Sequence, residues 1–120
     1  LNFGHPAGHA LESVTRYRRF RHGEAVGYGM LVASQIATVR GLLDKSDHAE
    51  LTELIQRMGP LPSVTDLSQS QIIEVMGRDK KVVSGRLHFV LPSRIGDTVI
   101  VDDVTKQEIR FALQTIGVQD

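Results

Sequence analysis

The chain has 120 residues, 41% of them apolar and 23% charged, enough for one compact domain with its own core and too few for two ordinary ones. Fourteen Lys and Arg offset fourteen Asp and Glu. This excludes a broad electrostatic pull toward nucleic acid or an anionic membrane, so any anion-binding site must be local. With no cysteine there is no disulfide framework, zinc ribbon or thiol nucleophile, and a metal site must draw on Asp, Glu or the five histidines.

No apolar run reaches the roughly 18 residues a bilayer-spanning helix needs, and the opening Leu1-Asn2-Phe3-Gly4-His5 has neither a charged n-region nor a signal-type apolar stretch. A cytoplasmic protein without a membrane partner is expected. The first residue is not Met and helical patterning begins without a flexible lead, so the chain reads as a piece of a longer protein.

Ala10, Leu11 and Val14 predict a short helix over residues 8–14 that starts close to His5, with Pro6 tolerated in its first turn. Residues 16–21, Arg-Tyr-Arg-Arg-Phe-Arg, show no apolar period and read as a connection. Val26, Met30, Ala33, Ile36, Ala37 and Val39 predict a long helix over residues 22–40, ended by Gly41. The glycines at 23, 27 and 29 cost that helix about 1 kcal/mol each relative to Ala, which implies close approach by another element or a ligand.

Asp47 with Glu50 reads as a capping box opening a third helix that carries Leu51, Leu54, Ile55 and Met58 and stops at Gly59-Pro60. Ser68 with Gln71 does the same for a fourth helix with Ile72, Ile73 and Met76. Alternation at Leu87, Phe89 and Leu91, a turn over residues 92–97, and Val99-Ile100-Val101 predict two short strands in a hairpin. Thr105 and Glu108 open the last helix, whose buried stripe is Ile109, Ala112, Leu113 and Ile116. The expected fold is mainly α, one domain over residues 1–120 with one small β-hairpin and no internal repeat.

His5 and His9 are four apart and share a helix face with Glu12, while His22 opens the second helix, where an αα turn can return it beside His5. Neutral imidazoles are good zinc ligands, but a catalytic zinc usually takes three protein ligands. Glu12 or Glu24 can supply the third from within, or a carboxylate can come from sequence outside these residues. A histidine pair on a helix is more commonly a core or surface pair than a metal site, and His48 and His88 are assigned no role. Gly4 and Gly8 around the first pair let a ligand approach backbone and imidazole together. The Arg78-Asp79-Lys80-Lys81 cluster reads either as a solvated helix end whose cations favour the dipole or as a phosphate site. Residues 16–21, with Tyr17 and Phe20 interleaved, give only a minority nucleic-acid reading.

Leu1-Asn2-Phe3-Gly4-His5-Pro6-Ala7-Gly8-His9-Ala10-Leu11-Glu12, then His22-Gly23-Glu24-Ala25-Val26 with Gly29-Met30, then Asp79-Lys80-Lys81 and Gly85-Arg86-Leu87-His88-Phe89-Val90-Leu91 to Ile95-Gly96 together resemble the 3-dehydroquinate synthase family. The resemblance runs over the whole chain and corresponds to the C-terminal third of such an enzyme. It implies the helical C-terminal domain of a dehydroquinate synthase-like fold, with NAD bound mainly by a Rossmann-like N-terminal domain outside these residues. The implied activity is that of a lyase converting 3-deoxy-D-arabino-heptulosonate 7-phosphate to 3-dehydroquinate in the shikimate pathway of aromatic amino acid biosynthesis.

By matching motifs, the resemblance makes His5 and His22 ligands of Zn²⁺ or Co²⁺, with a third ligand, a Glu, upstream of Leu1. Asn2 and His9 become substrate contacts near the phosphate, His9 among the catalytic groups, with Lys80 or Lys81 beside them. One position departs from the family, which usually has Thr where Pro6 stands; proline biases His5 away from helical geometry, so either the helix starts later or the His5 ring is re-aimed. No glycine-rich strand-to-helix turn lies in these residues, so the chain alone is expected neither to bind NAD nor to turn over substrate. The expected partners are a phosphorylated sugar acid, the N-terminal domain and, because separation from that domain would expose apolar helix surface, a second copy in a homo-oligomer. Alternatives are another sugar phosphate cyclase, such as a 2-deoxy-scyllo-inosose synthase, or a non-catalytic helical interaction module.

Overall fold

The computed structural model describes residues 5–78, 82–83, 86–87, 89–94 and 97–119, the side chains of residues 5, 82, 83, 86, 87 and 94 excepted. Helix α1, His5–Val14, takes Pro6 into its first turn, where a missing N–H forfeits no intrahelical bond. Of the two outcomes expected of Pro6, a later helix start does not occur: His5 is the first residue of α1.

Helix α2, His22–Val39, begins where the pattern placed it: the Arg21 backbone N–H donates to Glu24 Oε1 at 2.7 Å. It ends at Arg40, followed by Gly41 at φ +77, a left-handed stop that glycine adopts without a Cβ penalty. Ala25, Tyr28, Val32, Ala33, Ile36 and Ala37 are buried along it, because α2 is the central helix against which α1 and three later elements pack.

Helix α3, Lys45–Arg57, corrects the capping assignment: its N-cap is Asp44, and Asp47 lies inside the first turn. An acidic residue favours the positive end of the helix dipole in that turn as well as at the cap, so spacing alone could not separate the two positions. Helix α4, Gln69–Arg78, opens as predicted, with the Gln71 N–H donating to Ser68 Oγ at 3.4 Å.

Two antiparallel ladders follow. The first pairs β1, Val82–Val83, with β2, Arg86–Leu87. The second is the expected hairpin, β3, Phe89–Arg94, with β4, Asp97–Val101, in the register Phe89 to Val101 and Leu91 to Val99. Phe89 and Leu91 are buried, whereas Ile100 is exposed, the alternation of a strand with one face on the core. The strand runs through Pro92, read from sequence as the start of the turn, and the ladder is irregular between Pro92 and Arg94; a proline is tolerated in a two-stranded edge ladder because it need not donate.

Helix α5, Lys106–Thr115, carries the predicted capping box: Glu108 N–H donates to Thr105 Oγ1 at 3.1 Å and Thr105 N–H to Glu108 Oε1 at 2.9 Å. It packs on α2, as do α3 and β3, while α4 packs mainly on α1. The chain end returns to α4, where the buried Gln69 donates its side-chain Nε2 to Val118 O at 3.2 Å and its backbone N–H to Gln119 O at 3.3 Å. Among the described residues no helix is long and apolar enough to cross a membrane.

Candidate functional site

The candidate site is the corner between α1 and α2, and the intervening residues are braced by side-chain bonds and packing. Thr15 Oγ1 donates to the Leu11 and Glu12 carbonyls at 2.8 and 3.1 Å, and Arg16 and Tyr17 then both take φ +57, a left-handed conformation costly for residues with a Cβ. Arg19 forms a two-pronged ion pair with Asp66, at 2.7 and 2.8 Å. Phe20 is buried edge-on to Tyr28, ring centroids 5.9 Å apart, and the Tyr28 hydroxyl donates to Pro62 O at 2.6 Å. Phe20 and Arg19 are thus engaged in packing and pairing, not presented with Tyr17 as a stacking strip for nucleic acid.

This corner folds α2 back onto α1 at contact distance. A Cβ built on Gly8 would lie 2.7 Å from the Ala25 carbonyl oxygen, so only glycine allows the two backbones this approach. Gly27 answers the other sequence signal, with Ile55 Cγ2 3.4 Å from its would-be Cβ, whereas nothing lies within 4 Å at Gly23.

At the open side of the corner, His22 Nδ1 faces Glu12 Oε2 across 3.6 Å. The His22 side chain is 73% exposed and that of Glu12 only 12%: the carboxylate is set into the helix pair and the imidazole stands on it, reaching outward. His9 is half-buried on α1. His5 heads the same helix, but its ring lies outside the described side chains, and Asn2, Lys80, Lys81 and His88 lie outside the described residues. The structure therefore joins His22 to Glu12. Among the described residues no three His, Asp or Glu side chains gather to hold a metal, so a metal at this corner needs donors beyond His22 and Glu12.

Two polar groupings lie elsewhere and were not foreseen. Arg40, just past α2, donates to Glu108 at 2.7 and 2.9 Å and to Asp103 at 2.7 Å. These bonds hold the Glu108 carboxyl down to about 2. On the α3 side of α2 the buried Ser34 hydroxyl is hydrogen-bonded to His48 Nδ1, and burial pushes the His48 imidazole below its ordinary value. A cleft of about 360 Å³ beside them is lined by Tyr28, Gln35, His48, Thr52 and Thr115. Its hydroxyl hydrogens are donated internally, Tyr28 to Pro62 O, Thr52 to His48 O and Thr115 to Ala112 O. The signal for both groupings, a charged or hydroxyl residue inside a helical pattern, is too common to single out.

Residues 1–82 match the family described as 3-dehydroquinate synthase C-terminal. A 3-dehydroquinate synthase from Nostoc sp. is 45% identical over 115 residues, covering 95% of this chain and 32% of that protein. A 2-epi-valiolone synthase from Actinosynnema mirum is 41% identical over 117 residues, covering 94% and 31% respectively. Among solved structures, 2-epi-5-epi-valiolone synthase from Streptomyces hygroscopicus, with NAD⁺ and Zn²⁺ bound, superposes with a TM-score of 0.77 at 31% identity, over 96% of this chain and 32% of its own. The chain thus spans about a third of the length of the relatives it matches.

Proposed function

The chain belongs to the 3-dehydroquinate synthase C-terminal family, and we propose that it is the metal- and substrate-binding part of a 3-dehydroquinate synthase, a lyase that closes 3-deoxy-D-arabino-heptulosonate 7-phosphate to 3-dehydroquinate with loss of phosphate. The observation that carries this reading is the match over residues 1–82, which takes in α1, the corner and His22.

In this reading His5 and His22 hold a zinc or cobalt ion, and the donor set suits it: neutral imidazole nitrogens prefer such a borderline cation, and His22 stands exposed on the rim of the corner. The bound ion supplies Lewis acidity and a template for the substrate's oxygens. Asn2 and the half-buried His9 meet the substrate near its phosphate, and Lys80 or Lys81 adds the cation that a dianion demands. His9 sits one helical turn from His5, so one face of α1 addresses phosphate and metal together. In this reading NAD is bound mainly by an N-terminal domain outside these residues; a 31% identical cyclase solved with NAD⁺ and Zn²⁺ bound supports the pair of cofactors. The working protein is a cytoplasmic homo-oligomer.

The test is to supply the complete gene product with the heptulosonate phosphate, NAD⁺ and Zn²⁺, and to follow phosphate release and product. Formation of 3-dehydroquinate, lost on chelation and in His22→Ala, is the expected result. A second reading, another sugar phosphate cyclase, is favoured by the 41% identity with a 2-epi-valiolone synthase; a different cyclitol product would establish it. A fully folded protein that neither binds metal nor forms product would reduce the chain to a helical interaction module.

A further inference from the structure

Resting on that reading, which gives His22 to the metal, we propose that Glu12 is the positioning residue of the corner. Its carboxylate engages the Nδ1 side of the His22 ring and fixes the tautomer and direction that leave Nε2 to the cation. Three observations carry this. Glu12 Oε2 faces Nδ1 at 3.6 Å, while the ring is 73% exposed and its carboxylate neighbour 12%, so Nδ1 is the ring nitrogen turned to the carboxylate on a side chain that otherwise stands in solvent. Glu12 and His5 are seven positions apart on α1, two turns along one face, and long helical side chains lean toward the N-terminus, the end of α1 that carries His5. A carboxylate largely withdrawn from water also needs a proton donor, and Nδ1–H is placed to be one.

The separation exceeds a normal hydrogen bond of about 2.7–3.2 Å; polar contacts at functional sites are often long before the ligand arrives and tighten when it binds. An imidazole that donates its second nitrogen to a carboxylate is both oriented and made a better ligand. Glu12 is thereby distinguished from Glu24, whose carboxylate accepts the Arg21 backbone N–H at the start of α2 and serves the helix, not the ring.

The experiment measures Co²⁺ affinity and the visible Co²⁺ spectrum in the complete gene product for Glu12→Ala, Glu12→Gln and His22→Ala, with helix content by circular dichroism as the folding check. In the same proteins without metal, long-range proton–nitrogen NMR reads the His22 tautomer. Glu12→Ala should weaken Co²⁺ about ten- to a hundredfold and release the ring from the Nδ1–H form. Glu12→Gln, whose amide oxygen still accepts from Nδ1–H, should stay within a few-fold of wild type and keep the tautomer, which also guards against a Glu12→Ala protein that fails to fold. Unchanged affinity and tautomer in Glu12→Ala, with binding abolished by His22→Ala, would overturn the positioning role while leaving the metal reading intact. Loss of Co²⁺ in both Glu12 variants to the extent seen in His22→Ala would overturn it in favour of direct ligation. Unchanged Co²⁺ binding in His22→Ala would overturn the metal reading itself.

Discussion

Gly8→Ala puts the α1–α2 geometry to a direct test. The added Cβ would sit 2.7 Å from Ala25 O and 3.2 Å from Ala25 C, both backbone atoms of a buried stretch of α2 and unable to swing aside. Real Cβ contacts essentially never fall below 3.0 Å, so α1 must move off α2 by several tenths of an ångström. Overpacking of this kind costs about 1–3 kcal/mol, while exchanging glycine for alanine in a helix returns about 1 kcal/mol. The net expectation is a loss of about 0–2 kcal/mol. Gly23→Ala is the internal control: it is also in a helix, with nothing within 4 Å of the new methyl, so it should gain about 0.5–1 kcal/mol. The two variants, identical in chemistry, should therefore differ by about 1–3 kcal/mol, the overpacking term that only Gly8→Ala carries. Urea unfolding followed by circular dichroism reads this as a lower midpoint for Gly8→Ala than for Gly23→Ala at unchanged slope. A Gly8→Ala protein as stable as Gly23→Ala would refute the close approach, and with it the geometry that seats His22 beside Glu12.

The Arg40 bonds that depress Glu108 to about 2 from its ordinary 4.5 contribute stability that is fully present above pH 4.5 and lost as the pH falls toward 2. Glu108→Gln should flatten that acid limb of a midpoint-against-pH curve, and an unchanged limb would contradict the linkage. The depressed His48 works in the same direction at higher pH: the unfolded chain protonates first, so stability should decline as pH falls below 6.5, a step that His48→Gln should remove from the same curve. Ser34→Ala withdraws the hydroxyl bonded to His48 Nδ1 and should cost about 1 kcal/mol in the urea midpoint. Thr105→Ala removes the side chain that caps α5 through the Glu108 N–H and should cost about 0.5–2 kcal/mol; no change in either would count against the bond concerned.

The helices were legible because their signals are local. Apolar spacing, the Thr105 and Ser68 caps, and Gly41 and Gly59 as stops are each contained within a few residues, and α2, α4 and α5 follow them. Asp47 misled because Asp44 stands three residues before it and both favour a helix start. The strand through Pro92 was missed because its tolerance depends on a sheet of two strands, a tertiary fact. At the site, the α1 face bearing His9 and Glu12 followed from spacing, but the partner chosen by His22 did not. That choice is fixed by the left-handed pair Arg16 and Tyr17 and by the Gly8 contact with Ala25, neither of which leaves a periodic trace in sequence. The Arg40 link to Glu108 spans 68 positions, beyond the reach of any local pattern.

The central claim is that imidazoles from both sides of the α1–α2 corner share one divalent ion. X-ray absorption at the zinc edge of the complete gene product measures this most directly. The account predicts imidazole nitrogens at about 2.0–2.1 Å, with one imidazole's scattering lost in His5→Ala and one in His22→Ala. Bound zinc whose imidazole count is unaffected by either substitution would contradict it.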